Sequence, residues 1–334
     1  MMEDYFEIDW NNILNELNKR NIKSILIELP EGLKQFIPEI DAKLSGYRTY
    51  YSGENIYGSC DTNYSISVDG VLHFGHAPMR NLQYFKNTIF VELKRKININ
   101  KKLVENILSL NCKRIGILAT VQYISMIENL SKELKKFGIE TITSEGDDRL
   151  YYPSQVLGCD FSAAEKIKED VDCFIVLADG TFHASGIFMA TDKPTYSAEP
   201  VSGKIIRIEN DQFLRSRYLA MEKAREAKNI GILVSTKLGQ YRIAIANMLK
   251  NKIIESGRKA FIIVLNEISP QKLINLNMDA YVNTACPRIA LDDTSLYEKP
   301  ILTPTEMEMV LGIIPYDNYV LDRINFVNDI RKDL

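Results

Sequence analysis

At 334 residues the chain is long enough for two or three domains, each able to bury a core of its own. Its 46% hydrophobic and 25% charged residues are ordinary for a globular protein, and a net charge of −3 argues against a nucleic-acid-binding surface, because neutralising phosphates takes a broad excess of Lys and Arg. No stretch reaches membrane-spanning length, and the acidic, amphipathic opening MMEDYFEIDWNNILNEL lacks the basic start and apolar core of a signal peptide. The expected location is therefore cytoplasmic, where the five cysteines are expected as reduced thiols or metal ligands and not as a disulfide framework.

The first strand expected lies in SILIELPEGLKQ (24–35), a β-branched run ending in a polar turn and a helix. A second strand follows in YRTYYSG, a third in VDGVLHFGH and a fourth in NTIFVEL. The basic run KRKININKK (94–102) reads as a solvated interdomain linker. The pattern then restarts at RIGILATVQYIS (114–125), continuing through ETITSEG, VDCFIVLADG and KPTYSAEP. It restarts again at NIGILVSTKLGQYR (229–242), with KAFIIVLN, MDAYVNTAC and KPILTPTEM after it. Continuous apolar runs of this length alternating with amphipathic helices are typical of parallel α/β sheets. The expectation is three copies of one four-stranded, Rossmann-like parallel-sheet unit, at 1–98, 99–206 and 207–334, in a pseudo-threefold arrangement around a central site.

In such units the loops at the carboxyl ends of the strands form the functional edge. Cys60 in YGSCD and Cys159 in VLGCD occupy corresponding loops after the second strand, each followed by Asp. Cys286 departs from that plan, ending the third strand seven residues after Asp279, where the other copies carry His76 and Asp179. Cys112 precedes a strand and Cys173 lies within one, which suits core thiols. One loop thiol per copy suggests a shared metal, although position alone leaves a chance placement open. The spacings match no local zinc or radical-enzyme motif, and there is no Walker A loop or GxGxxG.

The segments YGSCD, TVQY, VLGCD, FHASG, STKLGQ, NTACPRIALDD and LTPTE together resemble the archaeal diphthamide-synthesis enzymes, the 2-(3-amino-3-carboxypropyl)histidine synthases. The resemblance implies a homodimer of three-domain α/β chains, each holding a 4Fe-4S cluster by Cys60, Cys159 and Cys286 as its catalytic metal ligands. It also implies a non-canonical radical S-adenosylmethionine transferase with an external electron donor. That enzyme moves the 3-amino-3-carboxypropyl group to a histidine of translation elongation factor 2, in the first step of diphthamide biosynthesis, and releases 5′-methylthioadenosine. Three thiolates leave one iron open for the amino and carboxylate groups of the methionine part.

Arg288 could grip that carboxylate with two prongs, or instead pair with Asp292 or Asp293. Gln122 and Gln240, just beyond the first strands of the second and third copies, could orient a polar ligand or brace their loops. His183 in FHASG suits a place near substrate or a structural hydrogen bond, His73 reads as structural, and His76 could line the central edge. The rival readings are a quinolinate-synthase-like dehydratase built on the same three-thiol plan, and a non-catalytic scaffold stabilised by zinc, which ordinarily takes a fourth protein ligand.

Overall fold

The computed structural model describes residues 1–62, 66–209, 211–317 and 319–324. Its α/β architecture is built on three principal sheets, and each repeats the strand order second, first, third, fourth. The first sheet has Ser24–Glu28 flanked by Arg48–Tyr51 and Gly70–Phe74, with Thr88–Val91 outermost, all parallel. The third sheet repeats this with Asn229–Ser235, Lys259–Leu265, Ala280–Asn283 and Ile301–Leu302. The second uses Arg114–Ala119, Glu140–Ile142, Cys173–Leu177 and Thr195–Ala198. It adds an antiparallel fifth strand, Ile205–Arg207, which runs one residue past the boundary expected at 206. By backbone contacts the chain falls into two compact units, the first holding Met1–Leu157, Ser162–Ile187 and Lys193–Ile208. The second holds Gly158–Phe161, Phe188–Asp192 and Glu209–Leu334.

One carboxylate recurs in every sheet. Asp69 accepts from the amides of Lys23 and Ser24, Asp172 from those of Lys113 and Arg114, and Asp279 from those of Lys228 and Asn229. Each Asp precedes its third strand and satisfies amides at the start of the first strand, where the ladder has not begun. All three carboxyl groups are held below the usual carboxylate range, chiefly by the Ser24 hydroxyl, donating at 2.8 Å, at Asp69, and with backbone donors leading at Asp172 and Asp279.

Cores follow the alternation of the strands. In the third sheet Ile230, Ile232 and Val234 pack on one face with Leu249 and Ile253 of helix Ile243–Glu255, while Leu233, Tyr281 and Ile301 build a separate cluster. The N-terminal helix Trp10–Lys19 is capped by the Asp9 carboxylate, which accepts from the Asn12 amide at 2.9 Å, and buries Trp10, Ile13 and Leu17.

Two expectations need correction. The basic run is no linker: Lys94–Arg95 pairs antiparallel with Phe6–Glu7, Arg95 lies over the Phe6 ring, and Ile97 and Ile99 pack against the second core. Ile97 and Ile99 alternate with Lys96 and Asn98, both exposed, so the polar run hides an apolar stripe. Cys112 and Cys173 are joined as a disulfide, because the approach to the first strand brings Cys112 against the start of the third. Those two are therefore not free thiols.

Candidate functional site

The disulfide leaves Cys60, Cys159 and Cys286 as the free cysteines, each half-buried. Cys60 sits in a single helical turn, Ser59–Asp61. The Asp61 carboxylate, almost fully buried, accepts from the Tyr57 amide at 3.0 Å and closes that turn. A Cβ on Gly58 would stand 3.3 Å from the Cys60 sulfur, so the glycine of YGSCD keeps room beside the thiol. Cys159 lies between Glu140–Ile142 and Cys173–Leu177 but groups with the second compact unit, where its carbonyl accepts from the Ile324 amide at 3.2 Å.

Cys286 follows the strand Ala280–Asn283 in the same unit. Buried Asn283 shapes its turn, with Oδ1 accepting from the Ala285 amide and Nδ2 donating to the Cys286 carbonyl at 2.8 Å. The short helix Arg288–Leu291 starts immediately after, and a fully buried Arg217 donates to the Ala290 carbonyl at 2.7 Å. Arg217 also donates to the Ile301 carbonyl and forks onto Glu306 at 2.7 and 2.6 Å. Glu306 in turn receives the Thr303 amide at 2.8 Å, completing the capping box that the LTPTE segment encodes.

The remaining candidates are spread over both units. Arg288 is exposed and its Nε donates to Asp292 at 2.9 Å, so Asp292 pairs with the guanidinium. Burial still raises the Asp292 carboxyl above its ordinary value, against the lowering effect of Arg288. Gln122 donates through Nε2 to the Gly75 carbonyl at 2.7 Å, bracing the turn before His76. Gln240 is buried beyond the strand Asn229–Ser235, and His183 stands in the first turn of helix Phe182–Thr191 with its ring edge-on to Phe182. His73 is fully buried and contacts Glu28 at 2.8 Å and His76 at 3.0 Å. Burial pushes both imidazoles down to about 3. Neutral His73 must donate from one nitrogen and accept at the other, so protons run in one direction along Glu28, His73 and His76.

Sequence reasoning missed Arg217, Arg242, Asp322, Glu28 and Asn283. A signal existed for the first. Arg217 shares the buried helix face of Ala220, Met221 and Ala224, and a lone arginine on an apolar stripe requires a buried partner. Asn283 and Thr284 end a buried strand, where polar side chains serve the turn that follows.

Cys60 in the first unit and Cys159 and Cys286 in the second are half-buried loop cysteines outside the disulfide, the ligand type that iron–sulfur groups take, and Gly58 leaves space beside the Cys60 sulfur. Among the described residues, no three His, Cys, Asp or Glu side chains stand together as a ready metal-binding group.

The family model described as "Putative diphthamide synthesis protein" matches residues 29–320. The chain belongs to this family. It is 33% identical over 326 residues to the 2-(3-amino-3-carboxypropyl)histidine synthase of Pyrococcus horikoshii, covering 95% of this chain and 94% of that one. The Methanocaldococcus jannaschii synthase is 29% identical, with 92% and 90% covered. Subunit 1 of the Schizosaccharomyces pombe synthase is 25% identical, with 95% and 76% covered. The crystal structure of Dph2 from P. horikoshii with a 4Fe-4S cluster superposes with a TM-score of 0.88 over 96% of this chain and 94% of that one, at 33% identity. Membership makes the chain an enzyme of diphthamide biosynthesis, of the aminocarboxypropyl-transferring kind.

Proposed function

We propose that the chain transfers a 3-amino-3-carboxypropyl group from S-adenosylmethionine to a histidine of translation elongation factor 2, with Cys60, Cys159 and Cys286 as ligands of a 4Fe-4S cluster. The observation that carries the reading is the sorting of the five cysteines, one free thiol in a loop of each repeat and the other two paired away in the second sheet. The name of the P. horikoshii relative specifies the group and its histidine acceptor, and the cluster named for the P. horikoshii structure specifies the cofactor type. An aminocarboxypropyl group bonded to a sulfonium is the activated form that such a transfer requires. When bound, a cluster held by three thiolates supplies one open iron and a low-potential electron.

The chain's own residues have distinct tasks in this reading. Asp61 and Gly58 shape the turn that presents Cys60, Asn283 and Arg217 shape the turn that presents Cys286, and Arg288 takes the substrate carboxylate. A homodimer and an external electron donor complete the proposal, along with a cytoplasmic location; no helix is long and apolar enough to cross a membrane among the described residues.

Anaerobic, reduced protein loaded with iron and sulfide is expected to convert S-adenosylmethionine to 5′-methylthioadenosine. With elongation factor 2 present, one histidine of that protein should gain the aminocarboxypropyl mass. Alanine at Cys60, Cys159 or Cys286 should lower bound iron and abolish product, whereas serine at Cys112 should leave iron content intact. Release of 5′-deoxyadenosine as the main nucleoside, or no cleavage by a fully loaded protein, would overturn the proposal. The second outcome would favour a dehydratase that uses the open iron as a Lewis acid.

A further inference from the structure

The segment 319–324, which follows the helix Pro304–Val310, is tied at three points to the rest of the second compact unit. Tyr319 donates its hydroxyl to Glu306 at 2.8 Å, and Glu306 pairs with the Arg217 that holds Ala290, four residues beyond Cys286. Asp322 receives both terminal nitrogens of Arg242 at 2.7 and 3.0 Å, and Arg242 lies two residues beyond Gln240. The amide of Ile324 donates to the carbonyl of Cys159. One short strap thus contacts Cys159 and Arg242 directly and reaches the loop of Cys286 through Glu306 and Arg217.

The middle tie is the distinctive one. Arg242 and Asp322 side chains are 3% and 5% exposed, and two charges taken out of water persist only when their geometry is near ideal. A tail that served merely to cover the core would be expected to use apolar contacts, as Ile324 does. The bidentate fork instead fixes the strap in one register, and a shift of one residue along it would move the Ile324 amide off the Cys159 carbonyl.

We infer that Asp322 is a positioning residue: its fork with Arg242 locks the strap in register and so sets the main chain at Cys159 against the loops of Gln240 and Cys286. The functional half of this inference rests on the reading of Cys159 and Cys286 as cluster ligands, while the structural half does not.

Asp322→Asn keeps the size of the side chain and removes its charge. In the full-length, metal-free variant, peptide-resolved hydrogen exchange should show amides of 158–161 and 319–324 exchanging about tenfold faster or more, with 229–235 unchanged. After anaerobic loading with iron and sulfide, the variant should lose iron to a chelator several-fold faster than the parent. Arg242→Lys, which keeps the charge but not the fork, should fall between the two and serves if the first variant does not fold. Parental exchange at 158–161 would overturn the strap. Faster exchange without faster iron release would overturn the positioning role and reduce the fork to a structural tie. A parent chain that takes up no cluster would instead count against the site reading, and the exchange measurement would still decide the strap.

Discussion

A single guanidinium illustrates how much a neighbour decides. Arg288 stands two residues beyond Cys286, and its Nε donates to Asp292 at 2.9 Å. Lysine at this position keeps the charge and loses the planar pair of donors. If Arg288 grips the substrate, Arg288→Lys should weaken S-adenosylmethionine binding by roughly tenfold, about 1.4 kcal/mol, without loss of bound iron. Titration calorimetry on the loaded protein measures this directly. An unchanged affinity would assign Arg288 to the turn alone.

At the level of elements, the repeat was legible because strand periodicity and turn residues are local properties. The expected strands of all three copies occur where the apolar runs put them, and Cys60, Cys159 and Cys286 lie in the loops expected. What was hidden depends on partners distant in sequence. The Cys112–Cys173 pairing, the Arg217–Glu306 fork and the Arg242–Asp322 fork join residues 61, 89 and 80 positions apart, and no window of sequence contains both ends. Glycines inside strands show the same limit. Gly116 pairs with Phe174 and Gly231 with Tyr281, and a Cβ at either glycine would come within 2.5 or 2.7 Å of the facing ring. In the first sheet the equivalent pair is Leu26 with Val71, so the same space is filled from the opposite strand. Gly116→Ala should accordingly destabilise by about 1–3 kcal/mol, since the ring is buried and the clash is with its edge. Gly116→Ala with Phe174→Val, which copies the division of volume in the first sheet, should recover part of the loss. Urea midpoints of the two variants test this, and a double variant less stable than the sum of its parts would show that the sheets do not trade volume in this way.

For the whole molecule, the groups shifted by folding predict how stability responds to pH, and two sets act in separate windows. Asp69, Asp172 and Asp279 have lowered folded-state values, so their contribution is present above the unfolded carboxylate value near 4 and is lost below it. His73 is also lowered, to about 3, but for an imidazole this means the folded state refuses a proton that the unfolded chain accepts below about 6.5. Stability should therefore be level above that value and fall as pH drops through the interval from about 6.5 to 4.5, before the carboxylates respond. A fully buried imidazole gives a slope of about 1.4 kcal/mol per pH unit, or about 2–3 kcal/mol across this window. His76 has the same sign but is only partly buried, so its share is smaller. His73→Gln removes the titrating group while keeping a donor and an acceptor between Glu28 and His76. Urea unfolding of the metal-free protein at pH 7.5, 6.5, 5.5 and 4.5 should find the variant less stable at pH 7.5, because the chain of hydrogen bonds is disturbed. Its stability should then fall less steeply than the parent's toward pH 4.5. Parallel slopes in the two proteins would mean that His73 is protonated in the folded state across this range and that Glu28 holds it as an ion pair.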